Sequence, residues 1–430
     1  MFMTRLIIIS FLFSITLSHS QENITYQKPS KEILDLVDFE RPPNVIFDDN
    51  KDYLVFLFSK NYKSIEELSE KELRLAGLRI NPKTNIGSRV SFYNNIKIKS
   101  LKNDSDEVSQ ISGLPKNPKI SNLNWSPDQS KIAFTNTAED GVNLWILDLN
   151  SASAKKVSEL KLNANIGSVI NWFSDSNSLL IKVIPKDKPE LINSNIVVPV
   201  GPKVSTNFGE KAQNRTYQDL LKNKVDEHNF QQLVTSDLFT VSINGKAKKW
   251  LESNMYTSIS ISPDGNYVMV TKINKPFSYL VTYRSFPTSV DVYSKDAKLI
   301  SNLVNVPLIE ELPKGFMSVR TGKRSFSWRS DKPSVLTYVV ALDGGDPQKN
   351  TKYRDEIFEI NAPFNGKGKS ILKTVNRFRG IDWGNSNFAI AYDYWWNTRN
   401  EKTYVFNPSN NKKSKIIFDR NYQDSYSDPG

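Results

Sequence analysis

The 430-residue chain contains no cysteine. Disulfides, cysteine-ligated zinc, thiol catalysis and a lipidated N-terminal cysteine are therefore excluded. Histidine is almost missing too, with His19 and His228 the only two. Neither belongs to an H-x-x-x-H or H-E-x-x-H pairing, so no metal site and no cofactor is expected. After residue 20 nothing approaches the ~18–20 continuous apolar residues of a membrane span, and integral membrane contact is not expected. The net charge is +11, yet no basic run is interleaved with a nucleic-acid-binding motif, which argues against nucleic acid as a partner. The charge reads as a solvated basic surface, with attraction of acidic substrates as the other reading.

What the chain does have is a repeated turn. Asn124-Trp125-Ser126-Pro127-Asp128-Gln129-Ser130 separates two apolar strands. Pro127 pre-sets φ for the turn, and Asp128 can bond the backbone two residues on. Ile261-Ser262-Pro263-Asp264-Gly265 repeats the pattern. Looser copies stand at Trp172-Phe173-Ser174-Asp175, Trp328-Arg329-Ser330-Asp331, Trp383-Gly384-Asn385 and Phe47-Asp48-Asp49-Asn50. The anchors at 125 and 172, and those at 328 and 383, lie about 50 residues apart, near the length of one four-stranded propeller blade. A second hairpin follows most anchors, at 144–157, 238–251, 290–300, 357–372 and 404–418. Two hairpins make a four-stranded sheet that buries its faces only against neighbouring copies. The fold class is all-β, a β-propeller of about six to seven four-stranded blades with helical insertions. An array of two-sheet sandwiches would also suit alternating strands and turns. The repeated aromatic turn and the lack of Cys-Trp-Cys spacing favour the propeller.

Residues 1–20 have the form of a secretory signal, with Arg5, an apolar core from Leu6 to Leu17, and small Ser18 and Ser20 before cleavage at Gln21. Export, to the periplasm or outside the cell, is the expected localisation. Residues 21–44 form an N-terminal extension with an amphipathic helix over 31–37, and 45–430 form the propeller domain. Insertions interrupt it near 64–80 and 185–236. The first predicts a helix over 64–75 with Ser64 and Glu67 as a capping box. The second predicts a proline-rich extended part, then a helix over 216–233 that buries Leu220, Leu221, Phe230 and Leu233. Residues 418–430 end on a turn with no closing strand, which reads as an array that is incomplete or lacks a partner domain.

Several segments are more specific than generic propeller grammar: Ser88-Arg89-Val90-Ser91-Phe92-Tyr93, Gln213-Asn214-Arg215-Thr216-Tyr217-Gln218-Asp219-Leu220-Leu221-Lys222, Lys275-Pro276-Phe277-Ser278-Tyr279, Trp328-Arg329-Ser330-Asp331-Lys332-Pro333-Ser334 and Asp343-Gly344-Gly345-Asp346. Together they resemble the N-terminal propeller of prolyl oligopeptidase-type serine peptidases, in the glutamyl endopeptidase branch known from bacteria and chloroplasts. The resemblance covers nearly all of the chain after residue 20. It implies a propeller, typically seven-bladed, that limits access to an α/β-hydrolase domain carrying a Ser-Asp-His triad. The implied partners are that C-terminal hydrolase domain and peptide or protein substrates. This sequence departs from the plan: it has no G-x-S-x-G elbow, and no histidine follows His228. No triad residue carries over, and no catalytic residue is assigned.

Other candidates are weaker. His228 lacks partners and reads as a surface histidine. Gly366-Lys367-Gly368-Lys369-Ser370 looks like the end of a phosphate loop, but position 363 is Pro, and a hairpin turn fits better. Asp343-Gly344-Gly345-Asp346 could offer carboxylates to calcium, yet lacks the spacing and terminal Glu of a calcium loop, and reads as a tight turn. The arginines are stronger. Selecting a glutamyl side chain needs a fixed cation, and Arg holds a carboxylate bidentately. Arg320 and Arg324 flank Thr321-Gly322-Lys323 before a blade anchor, while Arg284 and Arg215 lie in or beside other family-like segments. Salt bridges between blades or to the insertion are the structural reading of each. Two functions compete with the propeller of a secreted, truncated endopeptidase. One is a stand-alone periplasmic scaffold that binds proteins or peptides, and the other is an enzyme using a propeller's central channel.

Overall fold

Alternating apolar residues on either side of each anchor fold into antiparallel hairpins, and in the computed structural model these stack blade after blade in chain order. The structure describes residues 27–102, 106–193, 216–426, 428 and 429. The signal segment, His19 and Arg215 lie outside the described residues. Helix α1 (Lys31–Val37) comes first and buries none of its side chains. Blade 1 holds β1 (Asn44–Phe47) and β2 (Tyr53–Ser59). An insertion follows, with α2 (Ile65–Ser69) and a small sheet of β3 (Leu73–Leu75), β4 (Leu78–Asn81) and β5 (Ile86–Gly87). The blade is completed by β6 (Tyr93–Ser100) and β7 (Ser109–Gln110). Blade 2 is β8 (Ile120–Trp125), β9 (Lys131–Ala138), β10 (Gly141–Asp148) and β11 (Ser153–Lys156). One pair, Tyr93 opposite Ile120, joins blades 1 and 2 into a continuous sheet.

Four separate four-stranded sheets follow. Blade 3 is β12 (Ile170–Trp172), β13 (Ser178–Val183), β14 (Ser236–Ser242) and β15 (Ala247–Asn254), with α3 (Lys224–Val234) inserted before β14. Blade 4 is β16 (Tyr256–Ile261), β17 (Tyr267–Ile273), β18 (Thr288–Ser294) and β19 (Leu299–Val306). Blade 5 is β20 (Arg324–Trp328), β21 (Val335–Ala341), β22 (Asp355–Asn361) and β23 (Lys369–Thr374). Blade 6 is β24 (Arg377–Asn385), β25 (Phe388–Trp395), β26 (Asn400–Asn407) and β27 (Asn410–Asn421). All six sequence anchors fall at the end of a blade's first strand.

The repeated turn also links blades. Within the turn after β8, the Asp128 carboxylate accepts from Ser126 Oγ (2.6 Å), Ser130 N (3.1 Å) and Ser130 Oγ (2.8 Å). Burial pushes its pKa up, but these bonds and Lys131 outweigh that and hold it at about 2. Between blades, Asp49 N donates to Gln129 Oε1 (3.1 Å), Asp128 N to Ser176 Oγ (3.0 Å) and Asp264 N to the Pro333 carbonyl (3.1 Å). The anchor tryptophans do the same, Trp172 Nε1 to the Asn124 carbonyl (3.0 Å) and Trp328 Nε1 to that of Ser260 (3.1 Å). Buried clusters fill the interfaces from blade 1–2 through blade 5–6. Fully buried side chains such as Phe134 and Leu144 each contribute about 1.5–3 kcal/mol.

Among the described residues no such cluster joins blade 6 back to blade 1. Cross-strand register places Val45 with Phe56 and Phe47 with Leu54 on the side of blade 1 away from blade 2. Val45 and Phe47 are exposed. On blade 6, Ile390 and Tyr392 alternate with Ala389 and Ala391, which are buried toward blade 5.

Both insertion helices are shorter than the sequence predicts. The Ser64–Glu67 capping box is present, but α2 ends at Ser69, because Leu73–Leu75 pairs as a strand with β4. In the longer insertion, helix begins only at Lys224, where Asn223 Oδ1 accepts from Asp226 N (2.9 Å). Asp219 has φ +58, which helix does not allow. Its chain instead clasps the first insertion, through Gly77 N to the Asp219 carbonyl (2.9 Å) and Arg79 Nε to Asp219 Oδ2 (2.6 Å). Leu221, Phe230 and Leu233 are buried as expected, and Leu220 is half-buried.

Candidate substrate-recognition face

Strand parity sorts the connections. Turns from first to second and from third to fourth strands share one face. Connections from second to third strand, and from blade to blade, lie on the other. That second face carries both insertions and every described family-like segment except the turn at 328–334. Here the insertions of blades 1, 3 and 4 share a core of their own: Leu75, Ile80, Leu221, Phe230, Val281 and Phe286 are all buried together. The Phe230 ring meets the edges of Phe277 and Phe286 at 5.2 and 5.7 Å.

Beside this cap, blades 5 and 6 bury a network of arginines. Arg377, at the start of β24, places Nη2 2.7 Å from Asp343 Oδ2 and Nη1 3.1 Å from Asp355 Oδ1. Its Nε donates to the Met317 carbonyl at 2.9 Å. Arg354 Nη1 adds a second contact to Asp343 Oδ2 at 2.9 Å, and its guanidinium stacks 3.9 Å from the Trp395 ring. Arg324 Nη2 lies 2.5 Å from Asp355 Oδ2, a charge contact out of line for a hydrogen bond, and its buried Nε has no partner. Both aspartates are fully buried side chains. The Asp-Gly-Gly-Asp turn completes the fit: Gly345 N donates to Asp343 Oδ1 (2.9 Å), and Val319 N to the Gly345 carbonyl (3.1 Å). Gly345 has φ +80, and a Cβ there would lie 1.9 Å from the Val319 carbonyl oxygen. Only glycine fits.

Arg320 follows directly after Val319. It is half-buried, and its guanidinium donates to two backbone carbonyls, those of Thr321 (3.0 Å) and Lys323. No carboxylate among the described residues pairs with it. Burial, then the charge of Arg324, holds its pKa below the ordinary arginine range. Three arginines, Arg324, Arg354 and Arg377, thus converge on two aspartates, and Arg320 beside Arg324 pairs with neither. Phe316 and Trp396 are exposed, with ring centroids 5.6 Å apart and Arg399 stacked 3.8 Å over Trp396.

The sequence therefore located Arg320 and Arg324 together. Arg284 lies outside the cluster, exposed on a short turn with its guanidinium 5.3 Å from the Tyr283 ring. Arg354 and Arg377 were missed, and the one available signal was Asp343, a carboxylate that needs partners once buried. His228 Nε2 contacts the Glu190 carbonyl at 3.1 Å and is half-buried. Residues 366–368 lie in the hairpin turn between β22 and β23, and Lys369 and Ser370 open β23. No group of three or more metal-ligating side chains occurs among the described residues.

No family profile matches the chain. It is 36% identical over 425 residues to the Oryza sativa subsp. japonica protein named "Probable glutamyl endopeptidase, chloroplastic", across 94% of this chain and 44% of that protein. The Arabidopsis thaliana protein of the same name is 34% identical over 419 residues, 94% of this chain and 43% of that one. Among solved structures, an acylaminoacyl peptidase from Pyrococcus horikoshii matches with a TM-score of 0.43 and 15% identity, over 89% of this chain and 46% of that one. The chain spans somewhat less than half the length of the curated relatives it matches. Over nearly its own whole length, the chain is similar in sequence to proteins named as probable glutamyl endopeptidases.

Proposed function

We propose that this chain is the exported, non-catalytic propeller of a glutamyl-type serine endopeptidase, which admits peptide substrates and docks a C-terminal α/β-hydrolase domain that holds the triad. The sequence relationship carries the reading, since 94% of the chain aligns with 44% of a glutamyl endopeptidase. Strand parity supports it: β1 starts and β27 ends on the insertion face, so a domain joined at either end meets that face. The exposed Val45 and Phe47 on the outer side of blade 1 are apolar surface that a further blade would cover. Arg320, backed by Arg324, is the cation that receives the substrate's glutamyl carboxylate. A half-buried arginine held beside another cation is held at a cost, which an incoming carboxylate offsets.

The test is the intact mass and activity of the native gene product from its source cells. A species larger than 49.1 kDa by a domain of roughly 200–250 residues, cleaving after Glu, is expected. In that protein Arg320→Gln should raise KM for Glu peptides about tenfold or more, with little effect on peptides lacking an acidic residue. A native product near 49.1 kDa, less its signal, would overturn the endopeptidase reading and leave a binding scaffold.

A further inference from the structure

A cleft of about 690 Å³ opens on the insertion face, lined by residues on both sides of the single pair that joins blades 1 and 2. Five cations border it, Arg41, Lys60, Lys63, Lys97 and Lys119, against two carboxylates, Glu40 and Glu67. Glu67 is already engaged, accepting from Ser64 N (3.1 Å) and facing Lys119 Nζ (3.4 Å). Lys63 Nζ donates to the Ser88 carbonyl (3.1 Å), and Lys97 Nζ lies 5.3 Å from the Phe58 ring centroid. Lys60 acts on Glu67 through its charge, and no carboxylate among the described residues forms a salt bridge with Arg41, Lys60, Lys63 or Lys97. The site therefore holds a local excess of positive charge, held open by aromatic walls.

Asn61 lines both this cleft and an adjoining cavity of about 430 Å³. Its Nδ2 is taken by the Phe39 carbonyl, while its Oδ1 is buried and has no donor among the described residues. A buried acceptor without a partner costs about 1–3 kcal/mol until an N–H reaches it. That requirement discriminates among anions. Phosphodiester groups present only acceptors at their charged atoms, whereas a peptide brings one backbone N–H per residue together with its side-chain carboxylates.

We propose that this cleft is an exosite for an acidic peptide segment, with Lys60, Lys97 and Arg41 meeting its carboxylates and Asn61 Oδ1 accepting a backbone N–H. The role as exosite rests on the chain being a substrate-admitting propeller. The binding itself does not, and it is separate from Arg320. The test is fluorescence anisotropy of fluorescein-labelled hexaglutamate with the 430-residue chain, compared with hexaglutamine and with a single-stranded oligothymidylate. Hexaglutamate should bind more tightly than hexaglutamine and weaken as salt is raised. Lys60→Glu combined with Lys97→Glu should weaken it about tenfold or more. Asn61→Ala should weaken hexaglutamate several-fold and leave oligothymidylate unchanged. Arg320→Gln, which removes a single cation at a separate place, should lower hexaglutamate binding far less than the double reversal does.

Equal binding of hexaglutamate and hexaglutamine would overturn the proposal, as would indifference to the double reversal. Oligothymidylate binding as tightly, with Asn61→Ala lowering neither ligand, would overturn it in favour of a general polyanion patch. Loss of binding in Arg320→Gln alone would move acidic recognition to blades 5 and 6. That result refutes the cleft and leaves the endopeptidase reading standing. Should the double reversal fail to fold by circular dichroism, Lys60→Gln with Lys97→Gln reads the same charge dependence.

Discussion

Replacing Arg377 by methionine removes the hub of the buried arginine network and keeps only an unbranched apolar stem. Two charge contacts are lost, to Asp343 (2.7 Å) and Asp355 (3.1 Å), and with them the bond to the Met317 carbonyl. Breaking a buried pair from one side typically costs 3–5 kcal/mol, because a desolvated charge is left behind. Each aspartate here keeps one arginine, Arg354 for Asp343 and Arg324 for Asp355. The expected cost therefore lies at the low end, about 3 kcal/mol. With a urea m-value of about 3 kcal/mol/M, the midpoint falls by about 1 M at unchanged slope. Tryptophan fluorescence is a suitable probe, since Trp395 stacks on Arg354 within the network. Combining Arg377→Met with Asp355→Asn should reveal a coupling of about 1–3 kcal/mol. A loss under about 1 kcal/mol, or additive single and double variants, would refute the claim that these charges depend on one another.

Gly345→Ala should cost about 1–3 kcal/mol through its positive φ and its clash with the Val319 carbonyl. Gly366→Ala is the control, because its φ is +84 but nothing lies within 4 Å of the added methyl. Equal melting temperatures for the two variants would remove the packing argument. Lys182, on β13, is fully buried, donates from Nζ to the Ile166 carbonyl, and is pushed by burial from an ordinary 10.5 down to about 7. Between those values the unfolded chain binds the extra proton, so this group makes stability rise as pH climbs from about 7 toward 10.5. Denaturant titrations across that range should show a positive slope that Lys182→Met flattens, and an unchanged slope would place the charge elsewhere.

The blades were legible in the sequence because their grammar is local: an aromatic, a Ser-Pro-Asp turn and period-2 apolar residues report a hairpin within a dozen positions. Each anchor fell at the end of a first strand for that reason. The partners of the turns were not legible. Ser176 receives Asp128 N from a position 48 residues away, and nothing near either residue announces it. The helices of the insertions were overcalled by the same logic in reverse. Their apolar spacing suits a helix, but Leu73 to Leu75 found strand partners and Asp219 turned toward blade 1. In the candidate site, Arg320 and Arg324 stood out because they share one loop. Arg354 and Arg377 belong to different blades and meet through Asp343 and through Arg377 Nη1, which donates to the Arg354 carbonyl at 3.3 Å.

The uncovered sides of blades 1 and 6 change how the molecule loses its structure. A closed ring gives every blade two neighbours, whereas among the described residues no buried cluster joins blade 6 to blade 1. The array's stability is then a sum over successive interfaces, and melting can begin at either end and advance one blade at a time. Amide hydrogen exchange should therefore be slowest in blades 3 and 4 and quicken outward in both directions. A further blade packed against both blade 1 and blade 6 would turn that gradient into a single cooperative transition.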